Sequence, residues 1–156
     1  MNGTAFPERS PTELALTKGL HELIADARKE STRLDHEYIG TEHLVLALCH
    51  QMGDAAPLRA LAVDPQRVDA TIAGIIQRGR RALERTLERP FTSRTMQAFA
   101  LAAETARDLG RADIDVPHLL VGLIRERLNI GAQVLAEEGL TAERAYEYAR
   151  QGSTSG

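Results

Sequence analysis

Two short segments of the chain combine a turn, an acid and a histidine just before an apolar helix. The first, residues 38–43, reads Tyr-Ile-Gly-Thr-Glu-His and precedes Leu-Val-Leu-Ala-Leu. Gly40 permits an unusual backbone turn, Thr41 is expected to cap the next helix, and Glu42 falls in the first turn, where the helix dipole favours a carboxylate. The segment predicts either a ligand site built around Glu42 or simply a well-stabilised helix start.

The second segment makes a helix start by different means. Residues 114–118 read Ile-Asp-Val-Pro-His. Asp115 is expected to cap the helix, and Pro117 suits a first-turn position because no N–H is needed there. His43 and His118 occupy equivalent places in the two segments. We expect both to make structural hydrogen bonds beneath the loop, with ligand contact as the alternative.

Three histidines recur every seven residues and raise the question of a metal site. They are His36, His43 and His50, with Cys49 nearby. Gly40 interrupts the helix between the first two, so they need not share a face. None of the established Cys/His zinc spacings is present, and we therefore predict no metal. Cys49 is expected to be a small core residue.

The sequence lacks the patterns of familiar catalytic sites. It contains no nucleophile elbow, no H-E-x-x-H and no G-x-x-x-x-G-K-[ST] phosphate loop. We predict that the protein is not an enzyme and uses no cofactor.

Composition favours packed helices. Hydrophobic residues make up 43% of the 156 residues, but there are only three Phe, three Tyr and no Trp. The core must therefore consist mainly of Leu, Ile, Val and Ala, whereas strands favour aromatic and β-branched residues.

Charge and hydropathy exclude several classes of partner. Nucleic-acid-binding proteins typically carry a surplus of basic residues clustered on one surface. The net charge of −3 therefore argues against nucleic-acid binding. No apolar run approaches the ~20 residues needed to span a bilayer, and no secretory signal is visible, so we predict no membrane association. The lone Cys49 is compatible with a reducing compartment and predicts a cytoplasmic protein.

The chain contains an internal repeat. When the sequence is aligned with itself so that Thr17 falls on Thr92, residues of the same or similar type match in order. The offset between matched residues is constant over most of the repeat and grows slightly after a short insertion. The matched pairs are Thr17/Thr92, Ala25/Ala100, Ala27/Ala102, Leu34/Leu109, Ile39/Ile114, His43/His118, Leu44/Leu119, Leu48/Leu123, Val63/Leu140 and Arg67/Arg144. The repeat predicts an all-α fold of two pseudo-twofold repeats of about four helices each.

Composition shifts along the chain indicate its organisation. Gly, Pro and Ser accumulate at both ends, and strong helix formers in residues 80–89 indicate an extension of the closing helix of the first repeat. The predicted units are a lead-in 1–11, one domain 12–151 (repeat one 12–79, linker 80–90, repeat two 91–151) and a tail 152–156.

These motifs resemble the Clp N-terminal (Clp repeat) domain of the ClpA and ClpC unfoldase family. The resemblance rests on residues 39–43 (IGTEH), 91–92 (FT), 109–110 (LG), 119–126 (LLVGLIRE) and 131–135 (GAQVL), and it extends over residues 14–152. With no phosphate loop in the sequence, it implies a stand-alone module without the ATPase. Its expected partners are Clp substrates, adaptors or peptide ligands, and a Clp ATPase is a further candidate.

The resemblance also implies a binding chemistry. Domains of the ClpC branch bind phosphoarginine on proteins marked for degradation, with the Glu of each Gly-Thr-Glu-His motif on the guanidinium and helix N-termini and hydroxyls on the phosphate. By position, Glu42 and Thr17 would form the first site, with Thr41 and His43 beside them. Pro117 replaces the acid of the second site.

The second site is therefore expected to be degenerate, and we predict at most one intact phosphoarginine site. Its remaining candidates are Thr92, Asp115 and His118. Phe91, near the junction of the repeats, is expected to pack in the core or between the repeats and is a candidate peptide contact. The alternative function is a helical small-molecule or metal-binding protein that has kept only the scaffold.

Overall fold

The computed structural model describes residues 14–53, 56–76 and 90–155. The helices of this part of the chain are α1 (Lys18–Arg33), α2 (Thr41–Cys49), α3 (Pro57–Ala60), α4 (Pro65–Ile75), α5 (Ser93–Asp108), α6 (Val116–Glu126), α7 (Ile130–Glu137) and α8 (Ala142–Ser155). Four helices on either side of residues 77–89 confirm the predicted all-α, two-repeat class. The predicted lead-in and residues 80–89 of the predicted linker lie outside the described residues.

The correspondence between the repeats extends from the sequence to the backbone. Thr17 caps α1 with φ −68° and ψ 163°, and Thr92 caps α5 with φ −68° and ψ 162°. Each threonine hydroxyl accepts a hydrogen bond of 3.2 Å from the N–H three residues later, at Leu20 and Thr95 respectively. The two repeats therefore begin their first long helices in the same way.

Short parallel pairings connect each repeat to the other. Strand β1 (Ala15–Leu16) pairs in parallel with β2 (Asp113–Ile114), which precedes α6 in the second repeat. In the equivalent position, Ile39 of the first repeat forms a parallel bridge with Phe91 of the second. We call these two contacts the crossed pairings. Because of them, the residues before α5 lie beside the start of α2, and those before α1 lie beside the start of α6.

The core is built mainly from aliphatic side chains, as the composition predicts. Its largest fully buried members are Phe99, Leu20, Leu23, Ile39, Leu44, Leu46, Leu48, Leu58, Ile72, Ile114, Leu119 and Leu120. Helices α5 and α6 approach closely at Gly122, where a Cβ would lie 2.1 Å from the carbonyl oxygen of Ala98. Glycine is therefore required at this crossing.

The last helix, α8, runs to Ser155 and so includes most of the segment 152–156 that the sequence predicts as a tail. In the described part of the chain, none of the helices combines the length and the apolar character that crossing a membrane would demand.

Candidate functional site

The start of α2 is stabilised by Gly40 and His43. Gly40 is the N-cap, and its N–H donates to Nδ1 of His43 at 2.8 Å. The expectation that Thr41 caps this helix is wrong, because Thr41 is already the first helical residue. Its hydroxyl instead accepts from the N–H of Gly131 in α7 at 3.4 Å, and so connects the two repeats.

Glu42 is a buried acidic residue with few polar partners among the residues that the structure describes. The residue is 8% exposed. Its one hydrogen-bond partner in the described part of the chain is the hydroxyl of Tyr38, which donates to Oε2 at 3.4 Å. A Cβ at Gly40 would lie 2.2 Å from Oε1, so only glycine leaves room for this carboxylate. Burial, and then the charge of Glu42 and its hydrogen bond, raise the pKa of Tyr38.

The Glu42 cleft is an opening of about 370 Å³ between the two repeats. Its walls come from the start of α2, the start of α5 and the turn between α6 and α7. The lining residues are Thr41, Glu42, Thr92, Ser93, Arg94, Leu128, Asn129 and Ile130. The threonine that shares this cleft with Glu42 is therefore Thr92, whereas the family resemblance described above implies Thr17.

The α5 side of the cleft offers groups that bind anions. Thr92 caps the helix, and the N–H groups of Ser93 and Arg94 have no acceptor among the residues described. N–H groups without an acceptor at a helix start and the helix dipole both favour a negative ligand. The guanidinium of Arg94 is half exposed and pairs with Oε2 of Glu126 at 3.0 Å.

We call the two helix-start segments, residues 38–43 and 114–118, the first and second hairpin. The second hairpin differs from the first at the position of the acid. Pro117 lies in the first turn of α6, and Asp115 caps the helix by accepting from the N–H of Val116 at 2.8 Å. The hydroxyl of Thr17 donates to the same carboxylate oxygen of Asp115 at 2.7 Å. A Cβ at Gly19, in the first turn of α1, would lie 3.7 Å from this oxygen. The carboxylate of Asp115 therefore lies next to the start of α1.

The two motif histidines make the same structural bond, as the sequence predicts. Nδ1 of His118 accepts from the N–H of Asp115 at 2.8 Å, which matches the bond between His43 and Gly40. Burial lowers the pKa of His118, although the charge of Asp115 acts in the opposite direction. The neutral ring is the form that can accept this hydrogen bond.

The seven-residue histidine spacing does not bring all three rings together. His36 Nδ1 and His43 Nε2 lie 2.7 Å apart, although Gly40 separates them in the chain. His50 is not part of this pair and lies between two carboxylates. Its Nδ1 is 3.1 Å from Glu30, and its Nε2 is 3.0 Å from Asp69. In the described residues, no group of three or more His, Cys, Asp or Glu side chains could hold a metal ion.

Cys49 and Phe91 lie where the sequence places them. Cys49 is buried, and desolvation, followed by the charges of Asp69 and Glu30, raises the pKa of its thiol to about 12. Phe91 packs against the core with its ring centroid 5.4 Å from that of Phe99. No described contact tests a peptide-binding role for Phe91, which stays a prediction.

Sequence reasoning missed five residues that line the cleft, and also Tyr38, the hydrogen-bond partner of Glu42. The missed lining residues are Ser93, Arg94, Leu128, Asn129 and Ile130. Arg94 had a detectable signal, because a cation in the first turn of a helix opposes the helix dipole. Leu128 had none, since an isolated exposed leucine is common on protein surfaces. Tyr38 belongs to the first motif, but its residue type alone indicates no role there.

Comparisons with known proteins agree on one family. Residues 15–149 match the family described as the Clp repeat (R) N-terminal domain. The negative regulator of genetic competence ClpC/MecB of Bacillus subtilis is 32% identical over 137 residues, covering 86% of this chain and 16% of that protein. The chloroplastic ClpA homolog CD4B of Solanum lycopersicum, an ATP-dependent Clp protease ATP-binding subunit, is 35% identical over 139 residues, covering 88% and 15%.

A solved structure has the same fold. The crystal structure of the N-terminal domain of the caseinolytic protease associated chaperone ClpD from Arabidopsis thaliana aligns with a TM-score of 0.66 and 21% identity. The alignment covers 90% of this chain and 95% of that domain. By contrast, the chain spans about a sixth of the length of the two curated relatives.

Proposed function

The chain belongs to the Clp repeat N-terminal domain family, and from this membership we propose that it docks protein ligands of a Clp unfoldase. The ligands would be substrates, adaptors or peptides, and the binding step would involve no catalysis. We further propose that the Glu42 cleft recognises an arginine phosphorylated on its guanidinium.

The observation that carries this proposal is the state of Glu42. Glu42 is 8% exposed, and among the described residues its carboxylate has a single hydrogen bond, of 3.4 Å, and no ion pair. Buried charges are normally paired, because desolvating an isolated ion is costly. A guanidinium offers a planar fork of N–H donors that fits a carboxylate and would supply the missing charge.

The α5 side of the cleft supports the phosphate half of the ligand. The N–H groups of Ser93 and Arg94, which lack an acceptor among the described residues, favour an anion, and Thr92 lies beside them. Glu42 and these donors line the same opening, so one ligand could engage both. A guanidinium with a phosphate directly attached has this combination of charges within a single side chain.

The second hairpin supports a stoichiometry of one. Pro117 supplies no acid for a guanidinium, and Asp115 already takes the hydroxyl of Thr17. A carboxylate at the start of α1 would also repel a phosphate. We therefore propose that the Glu42 cleft is the functional site and that the Thr17–Asp115 region is closed to ligand.

Isothermal titration of phosphoarginine into the wild type and Glu42→Gln tests this proposal. The substitution keeps the size of the side chain and removes its charge. We expect binding of one equivalent to the wild type and a loss of about thirtyfold or more in the variant, since breaking a buried charge pair costs about 2 kcal/mol or more.

Glu37→Gln is the matched control, because Glu37 is an exposed acid on the same loop. It removes the same charge and should bind as the wild type does. Arginine and phosphoserine, each with half of the ligand chemistry, should bind at least tenfold more weakly than phosphoarginine. Absence of heat with the wild type, or equal affinity in Glu42→Gln, would overturn the proposal.

A further inference from the structure

The Glu42 cleft is lined by one acid and one base that do not pair with each other. Glu42 and Arg94 are the two charged residues among those that line it. Within the described part of the chain, Glu42 accepts from Tyr38, and Arg94 donates to Glu126. The cleft therefore contains two opposite charges that do not neutralise each other directly.

The guanidinium of Arg94 uses one of its three nitrogens. Its Nη1 donates to Oε2 of Glu126 at 3.0 Å, whereas Nε and Nη2 have no acceptor among the residues described. The side chain is 52% exposed. A guanidinium has five N–H donors in a planar fork that fits the oxygens of a phosphate. Arg94 therefore keeps donors for an anion while it is bound to Glu126.

Glu126 is a fixed anchor for this guanidinium. Its side chain is 8% exposed, and Oε1 accepts from the N–H of Leu128 at 3.2 Å and from the side-chain amide of Asn129 at 3.0 Å. Asn129 in turn caps α7 by accepting from the N–H of Ala132 at 2.6 Å. Arg94 is thus attached to the turn between α6 and α7, so less side-chain freedom is lost when it binds a ligand.

The start of α5 does not need a cation at this place. Arg94 is the second residue of the helix, where a positive charge opposes the helix dipole. In the alignment that places Thr17 on Thr92, Arg94 corresponds to Gly19, and α1 begins with the same cap geometry. Capping therefore gives no reason for the guanidinium. An anion at the helix start would be attracted by both the dipole and Arg94.

We propose that Arg94 is the specificity-determining residue that recognises the phosphate of the ligand. This inference rests on the proposed function and deepens it. The guanidinium of the ligand would bind Glu42, and its phosphate would accept from Nε and Nη2 of Arg94 and from the N–H groups at the start of α5. Unmodified arginine would bring only a like charge to Arg94, so the same residue disfavours it.

Isothermal titration of phosphoarginine into the wild type and Arg94→Gln tests the inference. The variant should bind about tenfold or more weakly, the effect expected from the loss of a charge-assisted hydrogen bond. Arg125→Gln is the matched control. Arg125 also joins α5 and α6, through Glu104 at 3.2 Å, but does not line the Glu42 cleft, and its variant should bind as the wild type does. Cooperative unfolding in urea checks that both variants are folded.

Unmodified arginine distinguishes phosphate recognition from a structural role of Arg94. Its affinity, measured by displacement of phosphoarginine, should not fall in Arg94→Gln, because the variant removes a like charge. An equal loss for both ligands, or unchanged binding of phosphoarginine to Arg94→Gln, would overturn the role of Arg94 and leave the Glu42 site intact. If phosphoarginine fails to bind the wild type, the proposed function is wrong and the inference fails with it.

Discussion

At the scale of single residues, the half-buried Tyr38 donates a hydrogen bond to the buried Glu42, and the pKa of Tyr38 responds to the charge of that carboxylate. Burial, followed by the nearby negative charge of Glu42 and its hydrogen bond, raises the pKa of Tyr38. A guanidinium placed on Glu42 would neutralise that charge. Tyr38 is therefore expected to report on occupancy of the cleft.

We expect the pKa of Tyr38, raised above its ordinary value of 10.0 in the wild type, to fall in Glu42→Gln while staying above that value because burial remains. Tyrosinate absorbance measured against pH checks this. Tyr148 also has a raised pKa, so the signal of Tyr38 is isolated by subtracting the titration of Tyr38→Phe. An unchanged Tyr38 titration in Glu42→Gln would show that the two groups are not coupled.

The same shift makes stability depend on pH in the alkaline range. The raised pKa means that the folded chain binds the phenolic proton of Tyr38 more tightly than the unfolded chain does, so this contribution is complete below about pH 10, where the unfolded phenol titrates. It is lost as pH rises through the folded pKa. The free energy of unfolding measured in urea should therefore fall more steeply above about pH 10 for the wild type than for Tyr38→Phe.

At the scale of elements, the crossing of α5 and α6 depends on one missing side chain. A Cβ at Gly122 would lie 2.1 Å from the carbonyl oxygen of Ala98 and 2.9 Å from the N of Ala102. Both are backbone atoms, so the clash cannot be relieved by a side-chain rotation. Helix α6 starts at the second hairpin, and α5 starts at the Glu42 cleft. The close packing of α5 and α6 therefore also fixes the position of the second hairpin relative to the cleft.

Gly122→Ala should lower the free energy of unfolding by about 2 kcal/mol or more, the range expected when a tightly packed core is overfilled. Gly74→Ala is the matched control, because a Cβ there meets nothing within 4 Å. In that helix it should stabilise by about 0.5 kcal/mol through better helix propensity. Urea denaturation measures both changes, and equal stability of the two variants would contradict the close approach at Gly122.

Sequence reasoning recovers the elements of this fold better than their connections. The alignment of Thr17 with Thr92 locates both hairpins and both capping threonines, because apolar periodicity and capping residues act locally. The crossed pairings escape it, since strands of two residues and a single bridge are too short to show a period. That is why the sequence groups Thr17 with Glu42, whereas the structure places Thr92 there.

At the scale of the whole molecule, the two similar repeats differ at the starts of α2 and α6. The first hairpin pairs a glycine cap with an acid two residues later, and the second pairs an acidic cap with a proline. The sequence could indicate this difference, because it depends on residue identity alone. It could not show that Asp115 takes the hydroxyl of Thr17, since that contact joins residues 98 positions apart.

Exchanging these residues should make the Thr17–Asp115 region able to bind the ligand. We expect Asp115→Gly combined with Pro117→Glu to raise the stoichiometry of phosphoarginine binding from one to two, because the exchange removes the internal carboxylate and supplies the acid. Isothermal titration gives the number of sites directly. Asp115→Gly alone should still bind one equivalent, and a folded double variant that also binds only one would refute the assignment of Asp115 as the group that closes the Thr17–Asp115 region to ligand.

The crossed pairings also have a mechanical consequence. The two walls of the Glu42 cleft belong to different halves of the chain, and parallel backbone contacts hold those halves together next to it. A force that separates the halves must therefore release any ligand bound between them. Conversely, a ligand bound in the cleft as proposed would add contacts between the two halves. The force needed to separate the repeats would then rise as the ligand binds more tightly.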